Sequence, residues 1–196
     1  MHPQSPALMR KHMRTKRLDL SASELQQHAE AVCERLVVMD VYQSAQHMAV
    51  YWAVNGEMAL DPVIEHAWGK DKSVYLPVLE NKALRFSPYR PGTPLKKNRL
   101  GLPEPDVSSS AVLSGQNMDL VLMPLVAFDP QGHRIGMGGG FYDRSFAFRL
   151  TSNVKCRPVL LGIAHDFQRV DRVHREPWDV PLDGVITESA TYLSKA

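Results

Sequence analysis

Long apolar runs are missing from this chain. Nowhere do about 18 apolar residues follow one another, which leaves no candidate for a membrane-spanning helix. Cysteine is scarce: Cys33 and Cys156 lie far apart and form no CxxC pair, so buried or idle thiols in a reducing compartment are expected. Excess charge of one sign is absent too. With 23 Lys and Arg against 21 Asp and Glu, the net charge of +2 gives no electrostatic case for nucleic acid. The first residues, MHPQSPALMRKHMRTKR, place no apolar run before their charges and do not read as a secretory leader, so the expected location is the cytoplasm. What is present is ordinary for a soluble globular protein: 196 residues, 44% hydrophobic and 22% charged, enough for one domain spanning 1–196 with its own core.

Periodicity divides the chain into alternating elements. Residues 5–39 read as helix, broken near LDLSASE, where Ser21 and Glu24 stand at the two positions of a capping box. HMAVYWAV (47–54) reads as a strand and ALDPVIEHAWG (59–69) as a helix closed by Gly69. SVYLPVL and ALRFSPY are short strands, and residues 90–110 form a long loop rich in proline and glycine. DLVLMPLVAFD (119–129) suits a buried strand, GFYDRSFAFRL a helix, and PVLLGIAHDF and DGVITES two further strands. Strands alternating with helices predict an α/β layered domain with a mainly parallel sheet.

The most informative stretch is RIGMGGGFYDR, residues 134–144, with four glycines in the five positions 136–140. It lies between the buried strand and the helix, where open α/β sheets bind ligands. Successive glycines let backbone N–H groups converge on an anion. Arg134 offers a fork of donors to phosphate oxygens, and Asp143 suits the Mg²⁺ that accompanies them. The stretch lacks the GK[ST] ending of a P-loop, and Phe141 replaces the last glycine of GxGxxG, so neither common phosphate-loop template applies.

RIGMGGGFYDR resembles the RxGxGxGxYDR signature of the 5-formyltetrahydrofolate cyclo-ligase family, also called methenyltetrahydrofolate synthetases. YWAVNGEMALDPVI, VYLPVL, GLPEP and LGIAHDFQ…EPWDVPLDGVITE resemble further blocks of that family in the right order, so the likeness covers most of the chain. The resemblance implies a single three-layer α/β/α domain with a mainly parallel sheet, of the NagB/RpiA/CoA transferase-like kind. It also implies Mg-ATP as cosubstrate and conversion of 5-formyltetrahydrofolate to 5,10-methenyltetrahydrofolate with release of ADP and phosphate. Carried over position by position, it places the triphosphate against Arg134, Ile135, Gly136, Met137, Gly138, Gly139, Gly140, Phe141 and Tyr142, with Arg134 and Tyr142 also at the reacting group. Asp143 and Asp179 would hold Mg²⁺, Trp52 and Glu57 would contact the folate, and Arg10 falls where the family has an arginine that reaches ATP. The chain departs from the pattern twice: Pro6 stands in place of a lysine four residues before Arg10, and Gly139 where some members carry a lysine.

Read without the resemblance, several of these residues have plainer roles. Asp179 suits a turn, Trp52 a core strand, Glu57 a solvated helix start, Asp143 a cap of the following helix, and Arg10, Lys11, Arg14, Lys16 and Arg17 a solvated helix face. His133 and His165 read as hydrogen-bonded structural groups, and Glu104 has no assigned role. The expected activity is an ATP-dependent cyclo-ligase acting as a monomer without nucleic acid or membrane partners. Phosphosugar isomerase or transferase-like enzymes share the architecture, and an RNA-binding module using the basic helix is the non-catalytic rival.

Overall fold

A computed structural model describes residues 5–107, 111–151 and 158–194; Cys156 and residues 108–110 of the expected loop lie outside them. Among the described residues no helix is long and apolar enough to cross a membrane. Helix α1 (Pro6–Leu18) starts with Pro6 in its first turn, where a missing N–H costs nothing, and with the Ser5 side chain accepting from the Leu8 N–H at 3.4 Å. Pro6 therefore has a local role as a helix starter. α2 (Ala22–Val37) opens on the expected capping box: Ser21 Oγ accepts from the Glu24 N–H at 3.2 Å, and the Glu24 carboxylate accepts from the Ser21 N–H at 2.8 Å. A one-turn α3 (Asp40–Ser44) then leads into the sheet.

The central sheet has seven strands: β1 (His47–Ala49), β2 (Ser73–Glu80), β3 (Ala83–Pro88), β6 (Leu120–Pro124), β9 (Val159–Ile163), β10 (Gly184–Ile186) and β11 (Thr191–Leu193). Their order is β11-β10-β9-β6-β1-β2-β3. The inner five run parallel, and the β2–β3 and β10–β11 hairpins add an antiparallel strand at each edge. Side chains alternate between two cores. Met48, Val74, Leu76, Leu120, Leu122, Leu161 and Ile186 pack beneath α2, α3 and α4 (Asp61–Trp68). Ala49, Tyr75, Val121, Met123, Leu160 and Val185 face the other way, against Phe128 and Phe146. Every residue of Leu120–Met123 is fully buried, which is why that strand reads as an unbroken apolar run. The chain is thus an α/β fold with a mainly parallel sheet packed on both faces.

Several expected elements are shorter or divided. The strand expected over 47–54 makes ladder pairs only at 47–49, and 50–54 continue as irregular chain toward a turn at Asn55 and Gly56. The apolar run 119–129 bends after Pro124, so β7 (Ala127–Phe128) leaves the main sheet and pairs with β8 (Arg134–Ile135), a strand the glycine-dominated pattern concealed. The helix expected over 140–150 is two pieces, α5 (Phe141–Ser145) and α6 (Phe148–Thr151). The long loop contains a small ribbon, β4 (Leu95–Lys97) with β5 (Pro103–Pro105). There Glu104 accepts a hydrogen bond from the Leu79 N–H at 3.3 Å.

Candidate active site

The β7–β8 hairpin fixes the approach to the glycine stretch. Its turn closes on Asp129, which is 1% exposed and accepts from the N–H groups of Gln131 and His133 and from the His133 ring, at 3.0–3.1 Å. The same carboxylate takes the Val173 N–H at 2.9 Å, tying the hairpin to the segment that leads to Asp179. Arg134 thereby points back under the loop. Its guanidinium donates to Asp143 Oδ1 at 2.7 Å and to the Val180 carbonyl. An arginine fork has five N–H donors, so others remain for a ligand. Asp143 Oδ1 also accepts from the Val180 N–H at 3.2 Å. Its carboxylate bonds join Arg134 and the 179–180 segment and leave the first-turn N–H groups of α5, so the cap reading of Asp143 finds no support.

Residues 136–140 then run across the surface. Among the described residues, none of their backbone N–H groups donates a hydrogen bond inside the chain. α5 is only five residues long, so its dipole adds little, and anion binding rests on these loop N–H groups. Gly138 has φ +93°, and a Cβ there would lie 3.3 Å from the guanidinium carbon of Arg10. Arg10 crosses at that point: its Nε donates to the Gly136 carbonyl at 2.8 Å. On the other flank Arg144 lies over the Phe141 ring, 5.4 Å from its centroid, and donates to the Gly139 carbonyl. A Cβ on Gly139 would sit 2.8 Å from the same ring, so this packing leaves no room for a lysine at 139 without moving Phe141. Met137 is exposed above the loop.

Beside this lies a drier set of groups. Arg17, 2% exposed, reaches Glu57 at 3.4 Å, and its Nε has no hydrogen-bond partner among the described residues. Burial raises the Glu57 pKa, although the Val54 N–H (3.1 Å) and Arg17 pull it down. Tyr51 donates to the Met58 carbonyl at 2.6 Å, and burial lifts its pKa well above the ordinary value, with Glu57 adding to the rise. Tyr142 is likewise raised by burial first and by Glu57 second, while Arg134 opposes; its ring stacks on Phe146 at 6.4 Å. Tyr142 therefore lies electrically between the two arginine–carboxylate pairs and keeps its proton at neutral pH. Trp52 is 38% exposed, with its ring edge-on to Tyr89 at 6.4 Å, so the core reading of Trp52 does not hold. Glu57 is no solvated helix start either.

Asp179 closes a turn: its Oδ2 accepts from the Glu176 N–H at 2.9 Å, and its own N–H donates to the Glu176 carbonyl at 3.0 Å. It lines a crevice with His133, Arg134, Arg175, Val180 and Pro181. Asp143 and Asp179 each keep one carboxylate oxygen outside these bonds, which suits a hard cation such as Mg²⁺ that takes one or two protein carboxylates. Sequence reasoning missed Arg17, Tyr51 and Arg144 as parts of this region. Arg10, Met13 and Arg17 recur at the spacing of one helix face, and that periodicity was the available signal.

Relatives of the chain point to one family. The profile of the 5-formyltetrahydrofolate cyclo-ligase family matches residues 3–188. The chain is 37% identical to the 5-formyltetrahydrofolate cyclo-ligase of Escherichia coli over 183 residues, covering 92% of this chain and 98% of that protein. It is 35% identical to the corresponding protein of Haemophilus influenzae over 189 residues, covering 95% and 99%. Its fold superposes on the Aquifex aeolicus 5,10-methenyltetrahydrofolate synthetase with a TM-score of 0.82 at 27% identity, covering 97% of this chain and 93% of that one. The chain belongs to the 5-formyltetrahydrofolate cyclo-ligase family of enzymes.

Proposed function

We propose that the protein converts 5-formyltetrahydrofolate to 5,10-methenyltetrahydrofolate, consuming ATP with Mg²⁺ and releasing ADP and phosphate. The observation that carries this reading is the meeting of a glycine turn rich in unengaged N–H groups with Arg10 and Arg134 on one side and a dry Glu57–Tyr142 wall on the other. The first half suits a polyphosphate, the second a flat heteroaromatic ring with N–H donors at its edge.

The formyl group needs activation because its nitrogen donates into the carbonyl and hydroxide leaves poorly. Its oxygen attacks the γ-phosphorus, the bond to ADP breaks, and an iminium phosphate forms. N10 of the folate adds to that carbon, N10 loses its proton, and the C–O bond breaks with phosphate as leaving group. Residues 136–140 and Arg10 hold the triphosphate, and Arg134 faces the transferred group. Tyr142, still protonated, donates toward the same oxygen. Glu57 accepts from the pterin edge, and Trp52 offers a ring face to stack on. Asp143 and Asp179 would hold Mg²⁺, which supplies neutralisation of phosphate charge.

The test is direct. Purified protein with 5-formyltetrahydrofolate, ATP and Mg²⁺ should generate the near-ultraviolet absorbance of the conjugated methenyl product, and omission of ATP or of metal should abolish it. Steady product formation without nucleotide would overturn the mechanism.

A further inference from the structure

Behind the turn that carries Glu57, three side chains from separate elements converge. His28 comes from α2, His165 follows β9 and Glu188 follows β10, and one ligand atom of each lies within 4.8 Å of the others. His165 is fully buried, while His28 and Glu188 are half-buried, so the cluster is reached from one side. The hydrogen bonds fix the state of His165. Its Nε2 lies 3.0 Å from the Gly56 carbonyl, which can only accept, so Nε2 carries the proton. The lone pair is then on Nδ1, and that atom faces Nδ1 of His28 at 2.9 Å. Burial also pushes the His165 pKa down to about 4, leaving the ring neutral at physiological pH.

A ring nitrogen lone pair aimed into a cluster while the other nitrogen donates to a backbone carbonyl is how metal-ligating histidines are held. Glu188 is held similarly: its two oxygens accept from the Asp166 N–H at 3.0 and 3.2 Å, and a carboxylate has further lone pairs available. In the metal-free state His28 Nδ1–H donates to His165. Moving that proton to Nε2 of His28 leaves a lone pair on each Nδ1, the two facing each other. Ion–nitrogen bonds of about 2.0–2.1 Å at tetrahedral angles then require the two nitrogens to part by roughly half an ångström and both rings to tilt by roughly 35°, so that the lone pairs meet off the line between them.

We propose that His28, His165 and Glu188 form a three-ligand site for a borderline divalent transition ion of the Zn²⁺ class, with water as the fourth ligand. Two imidazoles select such an ion over the hard Mg²⁺. The site would join α2, the β9 and β10 ends and, through His165, the turn at Gly56. That glycine has φ +71°, and a Cβ there would lie 2.4 Å from the Arg17 carbonyl oxygen, so the turn cannot shift freely against α1. An ion here would brace the wall behind Glu57.

Titrating Zn²⁺ into chelator-treated full-length protein without nucleotide or folate tests it. The wild type should take up one tight equivalent and gain several degrees in Tm at Zn²⁺ about a hundredfold above Kd. Co²⁺ should give the visible bands of a tetrahedral nitrogen–oxygen site. His28→Ala and Glu188→Gln change half-buried side chains, and each should weaken Kd about tenfold or more and remove the Co²⁺ bands. Binding that persists unchanged in both variants would assign the ion to other residues and overturn the site. Uptake no tighter than that of Mg²⁺ would overturn it equally.

Discussion

Two arginine–carboxylate pairs flank Tyr142, and they are built differently. Arg134–Asp143 is short, 2.7 Å, and its acid is a quarter exposed and also held by the Val180 N–H. Arg17–Glu57 is longer, 3.4 Å, almost wholly buried, and leaves the Arg17 Nε without a partner among the described residues. Burial raises Glu57, so the solvation it has lost outweighs what its neighbours return. The first pair, its arginine 6% and its acid 24% exposed, is a well-satisfied contact at the edge of a loop of open N–H groups. The second is a dry one, whose acid has lost more solvation than its neighbours return. Under the proposed function, the first pair would serve a polyanion and its counter-ion, and the second a ring system whose polar edge completes unsatisfied groups. On the proposed reading, two sets of the same residue types would serve two substrates.

Asp143→Asn should break this contrast most severely. The change keeps the shape and one acceptor oxygen but removes the charge that faces Arg134 and the proposed cation. A fall in kcat on the order of 10² or more is expected, as for loss of one preorganised electrostatic group. ATP affinity measured without metal should hardly change, and excess Mg²⁺ or Mn²⁺ should restore part of the rate. An Asn variant with wild-type turnover and metal dependence would remove Asp143 from the site.

Glu57→Gln should separate activity from stability. The folded pKa of Glu57 lies above its unfolded value of 4.5, so the folded protein binds this proton more readily than the unfolded chain. Its contribution to stability is therefore present below the unfolded pKa and is lost as pH rises through the folded one. Glutamine mimics the protonated form, so the variant should keep or gain Tm at neutral pH and lack that loss. The KM for 5-formyltetrahydrofolate should meanwhile rise tenfold or more, the scale of a hydrogen bond to a charged acceptor worth about 1.5–3 kcal/mol. Thermal melts across pH alongside steady-state kinetics decide it; a large drop in Tm at neutral pH would show that the ion pair stabilises the fold after all.

The order of elements was legible because the buried strand Leu120–Pro124 is apolar on both faces and the Ser21–Glu24 cap has a local signature. Strand ends were less so: β7 and β8 exist through Asp129 collecting N–H groups from 131, 133 and 173, a long-range arrangement that no periodicity records. The glycine stretch announced itself through composition. The buried state of Arg17 did not, since a basic helix reads as solvated unless the i, i+3, i+7 spacing of Arg10, Met13 and Arg17 is weighed against it. Likewise Trp52 on an apolar strand reads as core, and only the end of β1 at Ala49 explains its exposure.

The smallest effect concerns that helix and distinguishes its two faces. Arg10 turns inward to the Gly136 carbonyl, whereas Lys16, six residues on, is exposed with its ammonium 5.7 Å from the Phe167 ring centroid. If Arg10 also meets the triphosphate, Arg10→Ala should raise the KM for ATP several-fold, the scale of one charge-assisted contact next to solvent. The loop should loosen as well, because the Gly136 carbonyl loses its donor. Lys16→Ala should leave ATP kinetics unchanged, since a solvated cation on the far face sees little of the phosphates through a Debye length of about 8 Å. The RNA-surface reading of the helix predicts the reverse symmetry, with both substitutions weakening RNA binding alike and each lowering the salt slope by about one. Arg17 already argues against that surface, because a residue 2% exposed offers nothing to a phosphate backbone. Equal and negligible effects of both changes on ATP kinetics would leave Arg10 as a brace for the loop and move recognition of the triphosphate wholly onto Arg134 and the backbone of 136–140.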